Sequence, residues 1–137
     1  MSLPALLDTN TVSFIMRDVP SVRAQAAVYL REHDRPAFSY MTRYEILRGL
    51  LLRGSLRRQR AIERLCAESE LISLTPAIMD TAATIYADLY RRGQLIGDAD
   101  ILIAASALVN VRRLITDNVA HLARIPDLTV ENWFSPA

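Results

Sequence analysis

Ile96-Gly97-Asp98-Ala99-Asp100-Ile101-Leu102-Ile103-Ala104-Ala105-Ser106-Ala107-Leu108 places two carboxylates ahead of a run in which every residue is apolar or small. A helix that is apolar around most of its circumference is buried. Its N-terminal end therefore carries acids from the interior into a cleft, where negative charge is costly unless a cation accompanies it. A second reading needs no function. Asp98 as N-cap, with Asp100 two positions on, would stabilise the helix by capping and by the macrodipole alone. The choice between the two depends on whether other acids reach the same place.

Near the amino terminus, Pro4-Ala5-Leu6-Leu7 is a short apolar strand that runs into Asp8-Thr9-Asn10-Thr11, a polar cluster suited to ending a strand and starting a helix. Ser21 is expected to cap a helix bearing Val22, Ala26, Tyr29 and Leu30. Residues 35–40 read as a second strand. Thr42-Arg43-Tyr44-Glu45 has the form of a capping box, which puts Glu45 in the first turn of a helix closed by Gly54. A helix over residues 55–68 should turn Leu56, Ile62 and Leu65 inward. Leu71–Leu74 is a third strand. Thr75-Pro76 starts a helix whose buried face is Ile78, Ala82, Ile85 and Leu89. After the opening stretch, Leu114-Ile115-Thr116 is a strand that delivers Asp117 and Asn118, and residues 128–133 form the last one.

Strands alternating with helices of this length predict an α/β fold: a central parallel sheet of four to five strands with helices on both faces, spanning residues 1–137 as a single domain. Ligand crevices in such sheets lie beyond the carboxyl ends of the strands. Asp8 and Asp117 are expected there, and Glu45, Asp98 and Asp100 at helix starts facing the same edge. Each carboxylate raises the cost of ionising the next, so such a gathering calls for a cause. Taken singly, Glu45 could merely complete its capping box and Asp117 could be a turn former.

Composition narrows the chemistry. Cys66 is the sole cysteine and His33 and His121 the only histidines, so a thiolate zinc site is excluded and a histidine-based one disfavoured. All 16 basic residues are arginines. Without lysine there is no P-loop and no Schiff-base enzyme. No segment has the length of a membrane span or the form of a leader, which leads to an expectation of a cytoplasmic protein. Oxygen ligands alone select a hard divalent cation, Mg²⁺ with Mn²⁺ as its substitute, and the chemistry that follows is phosphodiester hydrolysis. Thr9, Asn10, Thr116 and Asn118 are placed to hold those carboxylates, or to cap local turns.

Leu6-Leu7-Asp8-Thr9-Asn10, Tyr44-Glu45-Ile46 with Gly49-Leu50, Gly97-Asp98-Ala99-Asp100-Ile101 and Ile115-Thr116-Asp117-Asn118 resemble, in order and spacing, the motifs of PIN-domain ribonucleases, and most closely the VapC-type toxins of toxin–antitoxin pairs. The similarity extends to the ending Ile125–Trp133. The resemblance implies a PIN-like fold, Mg²⁺-dependent RNA cleavage leaving a 5′ phosphate, a homodimer, and inhibition by a cognate antitoxin. It also implies that Asp8, Glu45, Asp100 and Asp117 are the catalytic and metal-binding quartet, with Asp98 as an auxiliary ligand or helix cap.

Between Arg43 and Arg64 there are seven arginines and only two acids, Glu45 and Glu63. Arg43, Arg48, Arg53 and Arg57 are candidates for contact with RNA or with an acidic antitoxin segment; a solvated helix face is the alternative. Two rival functions are a catalytically silent PIN-fold protein that binds RNA or antitoxin, and a phosphatase of the haloacid dehalogenase type. The phosphatase wants an aspartate where Asn10 stands and a lysine that is absent. A PIN nuclease directed at DNA is a third possibility.

Overall fold

The computed structural model describes residues 2–136. Its first strand, Ala5–Leu7 (β1), is buried on both faces and ends at Asp8, which caps helix Thr9–Met16 (α1). Helix Pro20–Glu32 (α2) starts at Val19 with proline in the first position, so Ser21 does not cap it; the Ser21 hydroxyl instead donates to the Phe134 carbonyl at 2.8 Å. The cause is Pro20, whose fixed φ starts the helix before Ser21 is reached.

Strand Ala37–Ser39 (β2) passes without a loop into helix Tyr40–Arg53 (α3). Ser39 is both the last strand residue and the N-cap, its hydroxyl accepting from the Met41 N–H at 2.9 Å. The expected capping box at Thr42 is therefore not one: Thr42 is already helical and buried, and Glu45 stands in the second turn. Gly54 ends α3 in the left-handed region, φ 70°, and Ser55 caps helix Leu56–Ala67 (α4). Ile62 is the buried anchor of α4, whereas Leu56, expected inward, is 66% exposed because the Gly54-Ser55 turn directs the first turn of α4 to solvent.

Strand Glu70–Ile72 (β3) leads to helix Pro76–Arg91 (α5), which buries Ile78, Ala82, Ile85 and Leu89 as the periodicity predicts. Helix Asp98–Val109 (α6) follows, with Ile103, Ala104, Ala105 and Ala107 at 1% exposure or less. Its alanines let α5 and the sheet approach closely, and the buried Ser106 hydroxyl is satisfied by the Leu102 carbonyl at 2.8 Å. Strand Arg113–Ile115 (β4), helix Val119–Leu122 (α7) and strand Val130–Glu131 (β5) complete the chain.

All pairings are parallel, in the order β3-β2-β1-β4-β5. Alternation along each strand splits the core in two. Leu6, Ala37 and Leu114 face α5, α6 and Leu122, whereas Leu7, Phe38 and Ile115 face α1 to α4 and Trp133. Helices thus cover both faces, as expected for an all-parallel sheet. At the amino edge Arg112 bonds the Ala5 carbonyl at 3.2 Å and pairs with Glu70, tying the starts of β1 and β3 to the approach to β4. Among the described residues no helix is long and apolar enough to cross a membrane.

Candidate active site

The strand order reverses between β1 and β4, because the chain moves from β1 through β2 to β3 on one side and then crosses to β4 and β5 on the other. At such a switch point the two outgoing connections diverge and leave a crevice beyond the strand ends. Asp8 follows β1 and Asp117 follows β4, so both stand at that crevice. The Asp8 N–H continues the ladder by donating to the Ile115 carbonyl at 3.0 Å, and Asp8 Oδ1 accepts from the Thr11 N–H at 2.8 Å.

Asp8 is only 7% exposed. Burial pushes its carboxyl above the usual value; hydrogen bonds from Thr116 and Thr11 oppose this, and the nearby Asp117 charge adds to it. Asn10 Nδ2 donates to Asp117 Oδ1 at 3.1 Å, tying α1 to the end of β4. The buried Thr116 hydroxyl accepts from the Asn118 N–H at 3.0 Å. Among the described residues the Asn118 side chain makes no hydrogen bond to the four acids. Its side chain lies 2.8 Å from His121 Nδ1.

Glu45 reaches the crevice from the second turn of α3. Thr9 Oγ1 donates to Glu45 Oε1 at 2.6 Å and lies 3.1 Å from Thr42 Oγ1. A hydroxyl has one proton, so the Thr42 hydroxyl supplies the second bond. Asp100 enters from the first turn of α6. Its carboxyl is pushed up by burial first, then by the charges of Glu45 and Asp117, with His121 opposing.

Asp100 thus feels Glu45 and Asp117, and Asp117 is felt by Asp8. Four acids from four separate segments share one crevice. Among the described residues no three carboxylate, imidazole or thiolate groups are drawn together into a ready-made metal cage. An ion held there would take one or two carboxylates directly and keep several waters. Buried carboxyls that raise one another are a donor set short of positive charge. Among the described residues the one basic group paired with the quartet is Arg48, 3.8 Å from Glu45 and more than half exposed. The site fits a divalent ion.

A model of the PIN domain matches residues 5–128. The chain belongs to the PIN-domain family. Ribonuclease VapC1 of Haemophilus influenzae (strain R2866) is 30% identical over 129 residues, covering 93% of this chain and 96% of its own. The tRNA(fMet)-specific endonuclease VapC of Salmonella typhimurium is 28% identical over 141 residues, covering 96% and 98%. Among solved structures, VapBC-1 from nontypeable Haemophilus influenzae superposes with a TM-score of 0.84 at 30% identity, covering 97% of this chain and 100% of the matched one. The family assignment and the PIN-like α/β fold read from the sequence are both borne out. PIN-domain ribonucleases generally depend on a divalent metal.

In this PIN domain Asp98 departs from expectation. The N-cap of α6 is Gly97, so Asp98 and Asp100 are both helical. Two helical positions are about 200° apart around the axis. Asp100 therefore faces the acids, while Asp98 lines an apolar groove between α5 and α6 with Met79, Tyr86 and Leu102. It does not cap α6, a place that Gly97 takes.

The arginines also divide. Arg53 lines a groove that opens from the crevice, and Arg48 sits at the rim with its guanidinium 5.1 Å from the Tyr44 ring centre. Arg43 lies against Cys66 on the inner side of α3 and α4, and Arg57 is exposed on α4. Arg58, one of the seven arginines between Arg43 and Arg64, lines the groove with Arg17, which the sequence does not single out, as it does not single out His121 near Asp100. His121 had one signal, its position three residues after Asn118 at helical spacing.

Proposed function

We propose that this PIN domain, residues 1–137 acting as one unit, is a Mg²⁺-dependent endoribonuclease and the toxin of a toxin–antitoxin pair. What carries the reading is the convergence of Asp8, Glu45, Asp100 and Asp117 at the β1/β4 switch point, where burial and mutual repulsion hold Asp8 and Asp100 above the usual carboxylate range. Asp8 and Asp100 would hold the ion, with Glu45 and Asp117 completing its surroundings through oxygen or bridging water. Mn²⁺ would substitute, the ligands being hard oxygens. When bound, the ion makes water a better nucleophile at neutral pH and offsets charge on the phosphate under attack.

The chain's own part is positioning. Thr9 fixes the rotamer of Glu45 and Asn10 that of Asp117, so that acids on mobile side chains wait in one arrangement. Thr116 and the Thr11 N–H hold Asp8 from beneath. No residue is called on to form a covalent intermediate; water attacks phosphorus and the P–O3′ bond breaks, the 3′ oxygen taking up a proton from solvent, which leaves a 3′ hydroxyl upstream and a 5′ phosphate on the downstream fragment. The ribonuclease name of the VapC1 relative and the VapBC-1 complex support an RNA substrate and a protein antitoxin as partner for this chain too; a homodimer acting in the cytoplasm belongs to the same proposal.

The test is cleavage of structured RNA and of single-stranded DNA by purified protein with Mg²⁺, with Mn²⁺ and with EDTA, beside Asp100→Asn. Metal-dependent RNA cleavage lost in the variant is the expected result. Equal cleavage with EDTA, or full activity in Asp100→Asn, would sink the reading. RNA binding without cutting in every condition would make the protein a silent binder.

A further inference from the structure

A groove of about 610 Å³ runs out of the acidic crevice. It shares Thr9 and Glu45 with the crevice and continues over Gly49 to Arg17, Arg53 and Arg58. The three arginines come from three places in the chain. Arg17 is the C-cap of α1, Arg53 is the last residue of α3, and Arg58 lies in the first turn of α4, where the Ser55 hydroxyl accepts its N–H. The Gly54-Ser55 turn folds α4 back on α3, and this is what brings Arg53 and Arg58 to one wall.

None of the three has an acidic partner within ion-pair distance among the described residues, whereas Arg23, Arg48, Arg92, Arg112 and Arg113 all do. Arg53 folds back along its own helix over Gly49, where an added Cβ would stand 3.6 Å from Nη2. Arg17 is held only by a long 3.5 Å contact from Nε to the Ser13 carbonyl and by its place above the Phe14 ring. Three exposed, unneutralised guanidiniums thus border a crevice that is itself short of positive charge.

We propose that Arg17, Arg53 and Arg58 hold successive phosphates of a single RNA strand on one side of the bond that is cut, so that the groove is the track along which substrate enters the acids. The proposal rests on the ribonuclease reading and deepens it. A phosphodiester beside four carboxylates is repelled, and neighbouring phosphates of the same strand supply binding energy that the reacting one cannot. Guanidiniums suit this work, offering paired donors to phosphate oxygens. Among the described residues no aromatic lines the groove, so the grip is on backbone charge and not on base stacking. An acidic peptide could sit on the same arginines, but the groove would lead it into the carboxylates, where it has nothing to gain.

The experiment measures binding of a short fluorescent oligouridylate by anisotropy in EDTA, across a KCl series. Arg17→Gln, Arg53→Gln and Arg58→Gln are compared singly and together with wild type and with Arg31→Gln, at the far end of α2. Each lost phosphate contact should flatten the slope of log affinity on log salt by about 0.7, so the triple variant by about 2. Arg31→Gln should change nothing. Hydrolysis of a small phosphodiester that reaches only the acids should stay within about twofold in the triple variant, while kcat/KM on RNA falls at least about tenfold, since the lost contacts lie beyond the reacting phosphate. Unchanged oligouridylate affinity and slope in the triple variant would overturn the track, and loss of polyglutamate binding alone would reassign it to an acidic peptide. If wild type cuts neither RNA nor the small diester, the ribonuclease reading fails by itself, and the salt slopes still decide what the groove binds.

Discussion

The Thr9 hydroxyl donates to Glu45 Oε1 at 2.6 Å, joining the first residue of α1 to the second turn of α3 across the crevice. Substitution by valine keeps the shape and removes the donor. Thr9→Val is expected to reduce RNA cleavage by about 10- to 100-fold, the usual cost of freeing a group that orients a metal-site ligand. It should also lower stability by about 1 kcal/mol. Thr9→Ser should recover most of both. Steady-state cleavage and urea melts check this, and a serine variant as poor as valine would mean that the methyl group, not the hydroxyl, matters.

Asp8 does two jobs that substitution separates. Asparagine can still accept from the Thr11 N–H and cap α1, but it carries no charge. Asp8→Asn is therefore expected to lose at least about 100-fold in cleavage, comparable to removing a charge-stabilising group from an active site, while melting a few degrees higher than wild type in EDTA. A shift of that size corresponds to about 1 kcal/mol in a domain of this length. Asp8→Ala should be equally inactive and melt lower than Asp8→Asn, because the cap is lost. Added Mg²⁺ should raise the melting temperature of wild type and leave both variants nearly unmoved.

The pH dependence of stability has a definite sign. Asp8 and Asp100 both ionise above the ordinary value of 3.8 in the folded chain, the main cause being burial. Between that value and the raised ones the folded state holds more protons than the unfolded state, so stability falls as pH rises through the window and the loss is complete above the folded values. In EDTA the melting temperature should rise as pH is lowered from neutral through that window, as these two groups protonate in the folded chain first. Asp8→Asn/Asp100→Asn should flatten that rise. A wild-type melting temperature that falls steadily over the same range would contradict the assignment of cost to these carboxylates.

Val111 has φ 53°, a left-handed conformation that is strained for a β-branched side chain. It is exposed and follows α6, where its N–H reaches the Leu108 carbonyl at 3.2 Å and the Arg112 N–H reaches the Ala107 carbonyl at 2.8 Å. The two bonds close the helix and force the conformation. Val111→Gly is expected to raise stability by about 0.5–1 kcal/mol, the relief of strain exceeding the added freedom of the unfolded chain. Cleavage should not change, the residue lying at the opposite end of α6 from Asp100. Thermal melts and an RNA cleavage assay suffice.

The acids were legible because each stands where local chemistry announces it: Asp8 and Asp117 directly after apolar strands, Asp100 at the head of an apolar helix. Glu45 is legible through its apparent capping box but stands one turn later than that box implies, since Ser39 serves as both strand end and cap and nothing in Thr42-Arg43-Tyr44-Glu45 reveals an earlier start. Asp98 was misjudged for a related reason. Whether Gly97 or Asp98 caps α6 decides which acid faces the crevice, and either residue type can serve as a cap. The arginine track was half seen, because Arg17 lies far in sequence from Arg53 and Arg58.

The sequence alone was enough for the alternation of strands and main helices, the covering of the sheet on both faces and the placing of acids at strand ends and helix starts, all of which follow from periodicities and caps that act over a few residues. The tertiary structure alone decided that β1 lies beside β4, that Asp8 and Asp117 therefore meet, that Asp98 turns away, and that three distant arginines share one wall. Those outcomes depend on how two apolar faces of a sheet are covered at once, and that choice is made by contacts between segments a hundred residues apart, such as Asp8 with Ile115, which no local pattern encodes.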